Sequence, residues 1–328
     1  MVELNRRHLL AGATAVAGAS ALDAFGIPPA NAAAPISGKQ AASFYRTRLG
    51  DFEITVVNDG VRVAPPPDNF IRNVSKEKMF AAAEAAYMPK GNLVTPFNPV
   101  IVNTGSKLVL FDTGFGPGVG PTVGLLQSTM AAAGIDSKQI DIVVISHMHG
   151  DHILGLKNAD GSLAFPNAEI KVPAGDWAFW MNDENMAKAQ DGFTKGQMGF
   201  NRKIFSDLKD KVTRYDWGKE VAPGITSVDA KGHTPGHSAF VIASGNSRVM
   251  FQGDVTNVPE LFLRNPEWEV MFDNEAATAV ATRKRIYDMA AAEKMSISGY
   301  HFPFPSVGHV EKDGAGYRLV PIAWNPVL

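Results

Sequence analysis

Apolar and polar positions alternate with a period of two through much of the first third of the chain, the spacing of strands with one face buried. "FEITVVNDG" (Phe52–Gly60) runs to an Asp-Gly turn signal, and "NPVIVNTGSKLVLFDTG" (Asn98–Gly114) reads as two strands joined through Asn103, Thr104, Gly105 and Ser106. Between them "SKEKMFAAAEAAYM" has helical composition, with Ser75 as N-cap and Met79, Phe80, Ala83 and Ala86 on one face. "PTVGLLQSTMAAAGI" predicts a helix opened by Pro121 and closed near Gly134. "DIVVISH" reads as a buried strand, and "AEIKVPAGDWAFWMND" as a strand leading into a helix. The polar stretch from Asp183 to Asp216 reads as helix plus long loop, placed to cap a pocket. Residues 224–256 return to strands with Gly245-Asn246 as a hairpin turn; Asn274–Met295 is the strongest helical pattern, and "SISGYHFPFP" ends the last core strand. Strands alternating with helices give an α/β chain.

The first thirty residues break this pattern. Arg6 and Arg7 precede an uncharged run from Leu9 to Leu22, too short to span a bilayer, and the small-residue sequence Ala30-Asn31-Ala32 follows. That layout predicts residues 1–34 as an export signal of the twin-arginine type, cleaved near Ala32, with residues 35–328 as one domain in the periplasm or outside the cell, without a stable membrane anchor. The remaining composition narrows the chemistry. There is no cysteine, so thiolate catalysis, disulfides and Cys-ligated zinc are excluded. A net charge of -2, with no Lys/Arg stripe, gives no footprint for nucleic acid and leaves a small molecule as the expected partner.

Any metal must therefore rest on His, Asp and Glu, and "VVISHMHGDHILGL" (Val143–Leu156) crowds three of the chain's eight histidines and an aspartate into six residues after a buried strand. Three further sites fall at other strand ends: His233 in "GHTPGH", Asp254 in "FQGDV" and His301 in "GYHFPFP". Loops at one end of a sheet are where distant ligands converge. Alternate residues His147 and His149 can face one way and Asp151 and His152 the other, so one segment can serve two ions. His147, His149 and His233 are the expected ligands of the first; Asp151, His152 and His301 of the second; Asp254 bridges them. Imidazole and carboxylate suit Zn²⁺, and two such ions can hold a hydroxide between them as nucleophile at neutral pH. Asp151 and Asp254 are thus the expected catalytic carboxylates. His237 is expected behind the ligands, Gly150 and Gly155 to relieve crowding around them, and Asp112 and Thr113 either to form a turn or to orient ligating histidines.

HMHGDH followed by DTG, GHTPGH, Asp254 and His301 in that order resembles the HxHxDH signature of the metallo-β-lactamase superfamily, over nearly the whole chain after the signal. The resemblance implies an αββα sandwich with a dinuclear site at one edge. "LGDFEIT", "LAFPNAE" and "GHVEKDGAGYRLVPI" resemble the methyl parathion hydrolase group, which implies cleavage of aryl esters, lactones or organophosphate triesters and, commonly, a homodimer. It also implies a substrate pocket around Trp180 and Phe193, with Val119 where that group carries a further aromatic. An acyl-homoserine-lactone lactonase or a β-lactamase-like hydrolase is the alternative.

Overall fold

The computed structural model describes residue 38 and residues 40–328, of which Ala42–Leu328 form one compact unit. The expected export signal lies outside the described residues. In chain order come β1 (Phe44–Leu49), β2 (Phe52–Val57), β3 (Gly60–Ala64), β4 (Leu93–Phe97), β5 (Val100–Asn103), β6 (Leu108–Phe111), β7 (Ile142–Val144), β8 (Glu169–Pro173) and β9 (Val212–Tyr215). β3 and β4 pair as a separate ribbon; the other seven form a sheet in the order β1-β2-β5-β6-β7-β8-β9, antiparallel as far as β6 and parallel from there. The second sheet takes the rest of the chain consecutively: β10 (Glu220–Ala222), β11 (Ile225–Asp229), β12 (Ser238–Ser244), β13 (Ser247–Phe251), β14 (Ser296–Ser298), β15 (Val307–Asp313) and β16 (Gly316–Pro321). Only its β13–β14 pair is parallel.

Period-two alternation sorts the side chains between layers. Val100, Val102, Val109, Phe111 and Val144 point between the sheets and meet Ile225, Phe240, Ile242, Val249 and Phe251. Their neighbours Ile101, Leu110 and Val143 point to the opposite face. There they are covered by helices. After α1 (Lys76–Ala85) these are α2 (Leu126–Ala132), the short α3 (Gly150–Ile153), α4 (Ala174–Trp180), α5 (Asp183–Lys188) and α6 (Phe193–Phe205), which supply Met130, Ile153, Trp180, Met198 and Phe205 to that core. After α7 (Pro259–Phe262), the long α8 (Ala276–Ala292) packs Ile286, Tyr287 and Ala290 against Met250, Ile297 and Val310 on the outer face of the second sheet. The result is the αββα sandwich. Each large apolar side chain buried this way contributes about 1.5–3 kcal/mol.

Three local expectations shift. α2 begins at Leu126, not Pro121, because the buried Asp59 carboxylate accepts hydrogen bonds from the backbone N–H groups of Phe115 (2.9 Å), Gly124 (3.3 Å) and Leu126 (2.9 Å) and so caps the helix from a distant strand end. Asp59-Gly60 is thus an anchor as well as a turn. Residues 183–216 are mostly ordered as α5, α6 and the edge strand β9. The second sheet continues past "SISGYHFPFP" by a hairpin, β15 and β16.

Candidate active site

The ligand-bearing loops leave the same edge of the sandwich. β7 stops at Val144, the chain bends at Ser146 and His147 and is extended again at His149, and the side chains of His147 and His149 meet in one cluster. Helical geometry starts at Gly150, and after that switch Asp151 and His152 meet in a second, adjoining cluster. His233 follows β11, Asp254 follows β13 and His301 follows β14. All seven sequence-selected residues come together, in clusters that include His147–His149–His233 and Asp151–His152–His301.

The first cluster is tight. His149 Nδ1 lies 3.1 Å from His147 Nε2 and 3.0 Å from His233 Nε2. Tetrahedral Zn–N bonds of about 2.0–2.1 Å set neighbouring ligand atoms roughly 3.3 Å apart, so these nitrogens sit near the edge length of such a polyhedron. In the second, Asp151 Oδ2 is 3.4 Å from His152 Nε2 and 3.5 Å from His301 Nε2. Asp254 stands between them: Oδ2 is 3.5 Å from His233 Nε2 and 3.1 Å from His301 Nε2, while Oδ1 is 3.4 Å from His152 Nε2. His152 Nε2 and Asp254 Oδ1 are buried without a protein hydrogen-bond partner. Unpartnered buried donors and acceptors of this kind are costly unless a cation fills the space between them, so the residues fit divalent ions.

The far side of four rings is fixed by an acceptor. His152 Nδ1 donates to Asp112 Oδ2 (2.8 Å), His233 Nδ1 to Asp273 Oδ1 (2.8 Å), His301 Nδ1 to the Pro96 carbonyl (2.9 Å) and His147 Nδ1 to Ser146 Oγ (3.1 Å). Each bond leaves the opposite lone pair facing the site. Asp112, at a positive φ of 59°, both turns the chain after β6 and holds His152, so the two roles open to it coexist. Burial and the neighbouring His152 keep His147 well below the ordinary histidine range, and burial with His233 does the same to His149. Burial works against a charge on His152, but Asp151, Asp254 and Asp112 outweigh it and hold that ring well above its ordinary value. Cations and ring protons therefore compete for the same carboxylates, and metal affinity falls in acid.

Several functional positions carry no motif. Asp176, on the first turn of α4, accepts from Met148 N (2.8 Å) and Gly236 N (2.6 Å), tying the HMHGDH loop to the GHTPGH loop. Asn98 donates to the carbonyls of Tyr300 (3.0 Å) and Phe302 (2.8 Å) and so holds the His301 segment. Tyr300 stacks at 4.1 Å on His152 and donates to the Asp151 carbonyl. Strand-end position was the only sequence signal for these. His237 uses both ring nitrogens, Nδ1 toward the Ala230 carbonyl and Nε2 accepting from Asp254 N (2.9 Å), so it positions the Asp254 loop. Of the two glycines, a Cβ on Gly155 would meet Thr113 O at 1.8 Å, whereas one on Gly150 meets nothing closer than 3.4 Å. Gly155 alone is required for space.

A cavity of about 350 Å³ opens above the ligands, walled by Phe70, Phe97, Phe115, Phe193, Phe200 and Phe272 among others. Phe193 lies 5.4 Å from the His149 ring and lines it. Two expected pocket residues do not. Trp180 is wholly buried in the core behind His149, because α4 turns that face to the first sheet, and Val119 is 54% exposed on the Gly-rich loop.

The metallo-beta-lactamase superfamily model matches residues 95–293, more than half of the 328-residue chain. The chain belongs to that superfamily. Two N-acyl homoserine lactonases are similar to this superfamily member: one from Bacillus sp, 26% identical over 190 residues (57% of this chain, 63% of the relative), and one from Bacillus cereus, 25% identical over 181 residues (55% and 59%). It thus spans less than two thirds of the length of these curated relatives. Among solved structures, hydrolase AbOPH of the beta lactamase superfamily superposes with a TM-score of 0.82 at 26% identity, covering 88% of this chain and 100% of that one. AidC, a dizinc quorum-quenching lactonase in complex with a product, gives 0.80 at 25%, covering 86% and 98%.

Proposed function

We propose that this superfamily member is a dinuclear metal-dependent hydrolase of lactones and related esters, with N-acyl homoserine lactones as the leading substrate class. The observation that carries the reading is a pair of His/Asp clusters sharing Asp254 at the floor of an aromatic cavity. The lactonase relatives favour lactones over the phosphotriesters implied by resemblance to the methyl parathion hydrolase group.

His147, His149 and His233 would hold one ion, Asp151, His152 and His301 the other, and Asp254 both; Zn²⁺ suits this donor set. Bound ions of this kind supply a water acidified toward a pKa of roughly 7 and polarise a substrate oxygen. The chain's own residues do the rest. Asp254 keeps the two clusters in register. Asp151 lines the cavity with its side chain 21% exposed; its Oδ2 faces His152 and His301, leaving Oδ1 to take the proton released as water adds to the carbonyl and return it to the departing oxygen. The phenylalanine walls exclude bulk water from the reacting carbonyl.

The test is a panel of N-hexanoyl homoserine lactone, dihydrocoumarin, an aryl acetate, nitrocefin and methyl parathion, run on protein of measured metal content. Lactone turnover lost on chelation and restored by Zn²⁺ is expected; turnover of none of them would end the proposal. Export through the Arg6-Arg7 segment is proposed separately, and unaffected export after replacement by Lys-Lys would refute it.

A further inference from the structure

The cavity's polar groups are nearly all committed elsewhere. Gln197 donates to the Met148 carbonyl (2.9 Å) and Asn201 Oδ1 (3.2 Å) and accepts from Gly150 N (3.2 Å), while the histidines and aspartates belong to the two clusters. The lining also includes Pro65, Pro66 and Pro67, whose nitrogens carry no hydrogen, the exposed Arg62, and Thr95, half-buried on β4 with a single hydroxyl.

Asn257 differs from all of these. It lines the cavity three residues beyond Asp254, is only 9% exposed, offers more than one donor, and its side chain has no hydrogen-bond partner among the described residues. A side-chain amide offers two donors and an acceptor. Beside a mostly apolar cavity, such a group is left unpaired when a bound molecule displaces water, unless that molecule completes it.

We propose that Asn257 is a specificity-determining residue that recognises an amide next to the scissile ester, making the cavity selective for lactones bearing an N-acyl substituent. A secondary amide presents one N–H and one C=O, the complement of what Asn257 has uncommitted. An alkyl chain in the same place leaves the side chain buried and unpaired, and sites built around a hydrogen bond discriminate most strongly against analogues that lack it. This assignment rests on the lactonase reading above and adds the group beside the ring.

The test compares N-hexanoyl homoserine lactone with α-heptyl-γ-butyrolactone, which keeps ring and chain but lacks the amide, on metal-loaded protein. The ratio of kcat/KM for amide over alkyl lactone is expected to fall roughly tenfold or more in Asn257→Leu. An unchanged ratio overturns the assignment, as does an equal loss of kcat on both lactones, which would place the side chain at the reacting oxygen instead. Calorimetric binding of N-hexanoylglycine against nonanoate to the same proteins needs no turnover and so separates this inference from the lactonase reading. A preference for the amide ligand that vanishes in Asn257→Leu and Asn257→Ala supports it even where neither lactone is cleaved; equal binding of both ligands by the wild type sinks it.

Discussion

Asp176→Ala is the sharpest probe of how the site is held. The carboxylate is wholly buried and accepts from Met148 N and Gly236 N, one backbone group from each of two ligand loops. Hydrogen bonds to a charged group are worth about 1.5–3 kcal/mol each, and two buried N–H groups would lose their acceptor together. Burial pushes the Asp176 carboxyl above its ordinary value, so part of that gain is offset by the cost of dehydrating the charge. A net loss of about 2–4 kcal/mol follows, or on the order of 3–7 °C in Tm for a chain this size. The metal-free and zinc-loaded forms should be scanned side by side. Since the loops at stake carry His147, His149 and His233, the variant should also narrow the Tm gap between the two forms, because weaker binding gives less linked stabilisation. Asp176→Asn keeps one acceptor but turns an NH₂ toward a backbone N–H, so it should fall between wild type and Ala. A variant with wild-type Tm in both states would show that these two bonds do not hold the loops.

Gly155→Ala should lose several kcal/mol or fail to accumulate, while Gly150→Ala should unfold within about 1 kcal/mol of wild type, since only the first drives a Cβ into a backbone oxygen; chemical denaturation of the pair checks it. Asp254→Ala should lose at least half of the bound metal, read by elemental analysis, with turnover reduced on the order of a thousandfold or more. His237 has its pKa pushed down to about 3, by burial first and then by the neighbouring His233. The folded value lies below the unfolded one, so the stability it contributes is present above pH 6.5 and lost as pH falls. Between pH 7 and pH 5 the stability of the metal-free wild type relative to His237→Gln should drop by about 2 kcal/mol, and pH-dependent denaturation showing no such drop would contradict a neutral, doubly bonded ring.

The layer order and the seven clustered side chains were legible because both rest on short-range rules. Period-two burial placed Val100, Val102, Val109 and Phe111, and strand-end position singled out His147, His233, Asp254 and His301. What escaped depends on contacts between distant segments. Nothing near Asp176 in sequence indicates that its oxygens reach Met148 and Gly236, and nothing near Asp59 indicates that it caps a helix more than sixty residues on. The pocket was misread for a related reason. Trp180 and Phe193 are both aromatic residues near His149, yet only the docking of α4 and α6 decides that one enters the core and the other the cavity.

The two sheets divide the chain almost without interleaving, residues 44–215 against 220–321, and the candidate ligands divide with them: His147, His149, Asp151 and His152 on one side, His233, Asp254 and His301 on the other. Neither portion contains a whole cluster. A polypeptide cut in the connection near Trp217 would yield two fragments that can assemble a complete ion site only by docking on each other, so zinc uptake would report reassociation of the halves. In the intact chain the same arrangement would make bound ions rivets across the sandwich, felt by the layers as much as by any substrate.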